Sequence, residues 1–409
     1  MPLNPNIKRV LFIAGFITVV FLMGFAIYWV FFRTAPPDEI TVNENINGGI
    51  LPDITNQPPD IITNINEVGY LPEIDLIANG GDTLTSAIVD AEANFPTLGA
   101  NGSDLHYYDP ISGKFYKVDA NGNIIGTLSD QVFPDAQNVT WSHGTESAVI
   151  EFPDGSNIFY DFDKEEQYTL PKEMEEFSFS ENDEQIAYKY YALNTEDNWL
   201  GVASPDGSGA IGVNKLGNNG DKVDINWSPS GQAVGTYTEY SGSEEQTVIP
   251  IGLKGENFKA MKVQGMQFNY QWSENGTQML YDVHSGATEN KPMLWVVDAY
   301  GDDIGKNRVP LNVNTWEEKC AFASDEEIYC GVPTSMDTGA GFVPSTSDET
   351  PDQIYKINLK TKTKSLVATP VDEYGFNNFT VDQMYMAGNN DYIYFTDKQT
   401  GKIYKIKLK

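Results

Sequence analysis

Two cysteines, three histidines and an excess of carboxylates are the residues here with chemistry to offer. Cys320 and Cys330 flank a short turn symmetrically about Asp325. If Phe322 faces Ile328 and Ala321 faces Tyr329, the cysteines face each other as well. Directly opposed strand residues lie about 4.5–5.5 Å apart at Cα, within disulfide reach. The expectation is a Cys320–Cys330 disulfide, since no third or fourth ligand stands at zinc spacing. His106, His143 and His284 occupy unrelated positions, and His143 reads as an exposed turn residue. There is no G-x-S-x-G elbow, H-E-x-x-H helix, Walker A loop or G-x-G-x-x-G turn. Asp119-Ala120-Asn121-Gly122-Asn123 starts like a calcium loop but has Ile124 where that loop needs glycine. It reads as a solvated turn, as does Asp161 to Glu166. From these residues we expect a protein that is not an enzyme, with no catalytic residue, no metal and no cofactor.

The 58 Asp and Glu against 26 Lys and Arg give a net charge of -32. Such a surface repels phosphate backbones, which excludes nucleic acid as a partner. Frequent aromatic residues, Gly and Asn suit strands joined by tight turns.

The elements that position these residues repeat along the chain. Trp141-Ser142-His143-Gly144 precedes Ala148-Val149-Ile150. Trp227-Ser228-Pro229-Ser230-Gly231 precedes Ala233-Val234-Gly235, and Trp272-Ser273-Glu274-Asn275-Gly276 precedes Met279-Leu280-Tyr281. Phe179-Ser180-Glu181-Asn182 and Phe322-Ala323-Ser324-Asp325 are weaker copies. Each is an apolar strand, a polar turn and a second apolar strand. The segments Tyr108 to Lys117 and Phe395 to Lys405 are near copies at the two ends of the body. Repeats begin near residues 95, 140, 178, 226, 271, 320 and 383. Units of about 45 residues, each long enough for four short strands, predict an all-β, seven-bladed β-propeller.

The W-S-P-x-G hairpins resemble those of the TolB-like and WD40-like propeller repeat family, over roughly residues 95–409. That resemblance implies a scaffold that binds other proteins or envelope components, with the repeat tryptophans packed between blades. In a propeller, loops joining second to third strands share a face with the inter-blade connections. Here those loops are long: 192–198, 240–246, 285–292 and 333–352. Binding usually evolves on such loops. Glu196, Asp197, Trp199, Glu289 and Phe342 are therefore the candidate partner-binding residues.

Residues 10–32 are an uncharged apolar run, long enough as a helix to cross a bilayer at about 35 Å. Tyr28 and Trp29 stand near one end, where interfacial aromatics belong. The run exceeds a signal-peptide core, and Arg33 sits at position −3 of the one plausible cut, after Ala35. Lys8 and Arg9 precede it, so the positive-inside rule puts residues 1–9 in the cytoplasm. The division expected is 1–9 cytoplasmic, 10–32 transmembrane helix, 33–92 Pro- and Asn-rich stalk and 93–409 propeller. The body would then be extracytoplasmic, periplasmic or on the cell surface. Together these readings describe a membrane-anchored binding scaffold for a protein or glycan of the cell envelope. The alternatives are a propeller enzyme cleaving glycans or peptides, which requires paired carboxylates converging on the central channel with raised pKa values, and a structural subunit of a membrane assembly.

Overall fold

The computed structural model describes residues 22–23 and 74–409. The expected transmembrane helix and most of the stalk lie outside the described residues. Among the described residues no helix is long and apolar enough to cross a membrane.

Seven antiparallel sheets follow one another along the chain. Their first strands open at Asn94, Asn138, Met174, Val223, Met266, Cys320 and Val381, and we number the blades 1 to 7 in that order. The expected repeat starts fall within five residues of each. First strands of neighbouring blades touch one another, so these strands line the axis and the fourth strands form the rim. Each apolar cluster joins the facing surfaces of two adjacent blades. One example unites Val149 and Phe159 of blade 2 with Phe179, Ile186 and Tyr188 of blade 3. A four-stranded sheet has two apolar faces, and a closed ring covers both.

The repeated serine explains the turn that gave the fold away. Ser142, Ser180, Ser228 and Ser273 each accept, at Oγ, the backbone N–H five residues ahead. Each also donates its own N–H to that residue's carbonyl. The residue three after each serine has a left-handed backbone, and it is Gly231 and Gly276 in two of the turns. At Gly276 the backbone also approaches blade 4 so closely that a Cβ would lie 2.5 Å from the Ser230 nitrogen. The tryptophans do pack between blades. Trp141 donates its indole N–H to the Phe95 carbonyl, and Trp272 donates to that of Asn226, each on the preceding blade.

The stalk boundary at residue 92 requires correction. Ser86–Val89 is the outermost strand of blade 7, pairing Ser86 with Lys405 and Val89 with Ile403. The C-terminal end supplies only three strands of that blade, so the N-terminal strand closes the ring. Asp82–Leu84 adds a fifth, parallel strand to blade 6 against residues 369–371. Strands this short carry no periodicity, and their partners lie about 300 residues away in sequence. The cysteine pairing holds as expected: Cys320 opposes Cys330, Ala321 opposes Tyr329, and Phe322 opposes Ile328. The cysteines form a disulfide with Cα atoms 4.1 Å apart.

Candidate functional site

Antiparallel pairing brings the start of each first strand beside the end of the second, as Met174 beside Tyr190 and Met266 beside His284 show. These ends share one face with the long second-to-third loops, which we call the loop face. On it, blades 3 to 6 surround a cleft of about 930 Å³. Blade 3 contributes Glu176 and Lys189, and blade 4 contributes Asp221, Lys222, Asp224 and Glu239. Blade 5 contributes Phe268, Asn269 and Asp282. The connection into blade 6 contributes Trp316, Glu317 and Glu318.

Two of the carboxylates are neutralised locally. Lys189 lies 2.5 Å from Glu176, and Lys222 lies 3.1 Å from Glu239. Asp221, Asp224, Asp282, Glu317 and Glu318 have no cationic partner within salt-bridge distance among the described residues. Asp282 is 3% exposed. Its carboxylate accepts the backbone N–H of Glu317 at 3.0 Å and the Asn269 amide at 3.4 Å. Burial lifts its pKa to about 7 against these hydrogen bonds. Burial, then the charge of Asp282, lifts Glu317 to about 8. Burial also raises Asp224 and Glu318. At neutral pH the cleft thus holds carboxyl groups poised between donor and acceptor forms.

A single 3-10 turn, Glu317–Lys319, presents the two glutamates, and it is locked from behind. Lys319 donates to the Asp352 carboxylate at 2.9 Å, and both side chains are buried. Asp352 also accepts the Val381 N–H at 2.7 Å, tying blade 6 to blade 7. Gln271 donates to the carbonyls of Glu317 and Cys320. The cleft wall therefore rests on a buried ion pair, held beside the disulfide-bearing hairpin.

The five candidate partner-binding residues lie on the loop face, but none lines the cleft. Glu196 and Asp197 form an exposed 3-10 turn over Thr195–Asp197. Trp199 covers Gly212 and is 37% exposed. Glu289 is exposed and pairs with Lys291 at 2.7 Å. Phe342 stands edge-on to His284 with ring centroids 4.4 Å apart. The 333–352 insertion is a strap laid on blade 5, donating Gly339 and Gly341 N–H groups to the carbonyls of Glu289 and Asn290. Its Pro344 reaches the cleft.

The histidines have three different environments. His143 is a half-exposed turn residue, as expected, and it also reaches Asp183 and Glu181 of the next blade. The hydrogen bond to Asp183 raises its pKa. His106 is buried, and desolvation lowers its pKa to about 4, which keeps it neutral. His284 is buried beneath the strap. Among the described residues no group of three His, Cys, Asp or Glu side chains is placed to hold a metal ion.

Reading the sequence missed Asp224, Asp282, Glu317 and Glu318. A signal was present for Asp282. The tenth residue after the repeat aromatic is Glu151, Lys189 and Asp282 in blades 2, 3 and 5. Each is a charge near the end of an otherwise apolar strand.

No family model matches the sequence, and no curated protein matches it. Solved structures do. The chain is similar to an oligogalacturonate lyase in complex with manganese, with TM-score 0.55 and 12% identity over 80% of this chain and 93% of that one. It is similar to the Cps50 (Swd1) β-propeller domain of Myceliophteria thermophila, with TM-score 0.51 and 12% identity over 80% of this chain and all of that one. A Vibrio parahaemolyticus oligogalacturonate lyase gives TM-score 0.50 and 10% identity over 80% of this chain and 93% of that one. Identities this low show the β-propeller fold and nothing finer.

Proposed function

We propose that the protein is a non-enzymatic binding scaffold of the cell envelope. Residues 10–32 anchor it in the membrane, and the propeller stands on the extracytoplasmic side, where its loop face receives a protein or glycan partner. The observation that carries this reading is the cleft at the inner ends of blades 3 to 6, on the face with the long loops. The ring holds its walls, and five of its carboxyl groups have no cationic partner among the described residues. Carboxyl groups without a counter-ion in a concave site are ready for a ligand. The resemblance of the repeats to TolB-like and WD40-like propellers supports the same role.

A second reading, a glycan-cleaving enzyme, is favoured by one observation: Asp282 and Glu317 are adjacent carboxyl groups with raised pKa values. A protonated carboxyl is what a glycosidic general acid requires. The charge of the site bears on the substrate. Five unpaired carboxyl groups oppose a polyanion, so an oligogalacturonate is a poor occupant.

The test is a crosslinking pull-down from native membranes. It compares the full chain with one lacking residues 334–350 and with Asp224→Asn/Glu317→Gln, and melting curves confirm that each variant is folded. Loss of one partner protein from the variants supports the scaffold. An unchanged partner list in both folded variants contradicts it. Release of reducing sugars from envelope glycans, abolished by Glu317→Gln, would establish the second reading instead.

A further inference from the structure

Blade 3 carries a second concavity, built from its own strands alone. Its strands Ile186–Tyr190 and Trp199–Ala203 pair so that Tyr188 opposes Gly201 and Tyr190 opposes Trp199. Residues two apart in a strand, and residues directly opposed across a pair, share a sheet face. These four therefore lie on the face turned toward blade 2. Val149 and Phe159 of blade 2 help to bury Tyr188, but Tyr190 is only half-buried and Trp199 is exposed. Together with Ile211 and Gly212 of the fourth strand they line a hollow of about 320 Å³. Two glycines make its floor. A Cβ at Gly201 would lie 2.6 Å from the Tyr188 ring, and one at Gly212 would lie 2.7 Å from the Trp199 ring. Each ring lies down across a glycine because no side chain projects there.

An aromatic face alone does not say what covers it. The Tyr188 phenol does. Tyr188 is 4% exposed and lines the hollow, with its hydroxyl above Gly201. That hydroxyl has no hydrogen-bond partner among the described residues. Burial, then the neighbouring Tyr190, raises its pKa, so it keeps its proton and can donate. A buried phenol is usually satisfied, and this one can be satisfied only from the hollow. The rim is polar. Glu196 and Asp197 are exposed just before Trp199, and exposed Lys215 opposes Trp199 in the fourth strand. Three kinds of group stack on flat rings: a nucleobase, a proline and a sugar. The net charge of -32 excludes a nucleic acid. A proline ring has no polar edge to meet the phenol. A pyranose has an apolar face for the ring and hydroxyls at its edge for the phenol and the rim.

We infer that this shelf of blade 3 binds a neutral β-linked glycan, with the apolar face of one pyranose on Trp199 and a sugar hydroxyl on the Tyr188 phenol. This rests on the binding role proposed above for the loop face, at a site separate from the cleft. A gluco-configured sugar in β-1,4 linkage carries its substituents equatorially, so its C–H bonds form a flat apolar face. Those polarised hydrogens complement the negative face of an aromatic ring. The acidity of the body opposes a polyanionic glycan, so the ligand is uncharged.

The experiment uses the full chain in detergent and isothermal titration with cellotetraose and with chitotetraose. Tetragalacturonate and acetyl-tetraproline-amide serve as separate arms, and melting curves confirm that each variant is folded. The expected result is saturable one-to-one binding of at least one neutral tetrasaccharide, tighter than either of the other two probes. Trp199→Ala should weaken it about tenfold, the scale of one lost ring contact, and Trp199→Phe should weaken it less. Tyr188→Phe removes only the hydroxyl and should weaken it about fivefold. Gly212→Val should weaken it by lifting the Trp199 ring off the sheet. Ile125→Ser, at an exposed apolar residue on the rim of blade 1, should leave it unchanged. No binding of either neutral tetrasaccharide to the folded protein overturns the inference, as does binding that Trp199→Ala leaves intact. Tetragalacturonate or the proline peptide binding as tightly as the sugars also overturns it. If the sugars fail while a native partner still crosslinks in the cleft, the scaffold stands and only the glycan shelf falls.

Discussion

Replacing Asp282 by Asn should stabilise the protein, and more so at high pH. The substitution is nearly isosteric, and the asparagine oxygen can still accept the Glu317 N–H. In the folded chain burial raises Asp282 from the ordinary 3.8 to about 7. The folded state therefore holds a proton that the unfolded chain has lost throughout that interval. The resulting penalty on folding is absent below about pH 3.8, grows as pH rises, and is complete above about pH 7. At full extent it is on the order of 4 kcal/mol. Between about pH 5.5 and pH 8.5 the penalty grows by about 2 kcal/mol. The stability gap between Asp282→Asn and wild type should widen by that amount. The widening does not depend on any constant cost of the substitution itself. For a domain of this length the unfolding entropy is about 0.7 kcal/mol/K, so the gap in Tm should widen by about 3 °C. Differential scanning calorimetry of both proteins across this pH range provides the measurement. Parallel Tm curves would refute the reasoning, because Asp282 would then titrate like an exposed carboxylate.

Other predictions follow from the lock behind the site and from the hairpin beside it. Lys319→Met leaves Asp352 buried with only the Val381 N–H, and should cost about 3–5 kcal/mol. The double variant Lys319→Met/Asp352→Leu should recover most of that in chemical denaturation, and a double variant no better than the single would contradict the lock. Reduction of Cys320–Cys330, whose sequence separation is 10, should cost about 3 kcal/mol by loop entropy and lower Tm by about 4 °C. A Tm unmoved by reductant, with free thiols verified, would count against it. Deleting residues 82–89 removes the closing strand of blade 7 and the added strand of blade 6. It should convert cooperative melting into a broad transition at lower temperature, visible by circular dichroism.

How much of this was legible follows from where the information resides. The hairpins announced themselves because one serine closes each turn within five residues, a local device that recurs at a readable spacing. The Cys320–Cys330 register was legible for the same reason, since both strands and the turn lie in one short segment. Ring closure was not legible. Ser86–Val89 is four residues long and finds its partner at residues 403–405, so no local pattern marks it. The cleft was legible only in part. The long loops pointed to the face that carries the cleft, because their lengths are a local property. The residues first chosen there were the exposed ones, and none of them lines the cleft. Asp224, Asp282 and Glu317 come from three different repeats, and only closure of the ring places them together. What did show was the charge ten residues beyond the repeat aromatic, an anomaly inside an apolar strand. In a propeller that position ends the second strand on the loop face, so a buried charge there is a signal worth reading.

The most direct test of the central claim is site-specific photocrosslinking in native membranes. A photoreactive residue replaces Asn269, exposed in the cleft, or Asn182, in a first-to-second-strand turn on the opposite face. A scaffold that binds through the cleft gives a discrete crosslinked partner from position 269 and none from position 182. A partner captured from 182 alone, or from neither position with the protein folded and abundant, would contradict it.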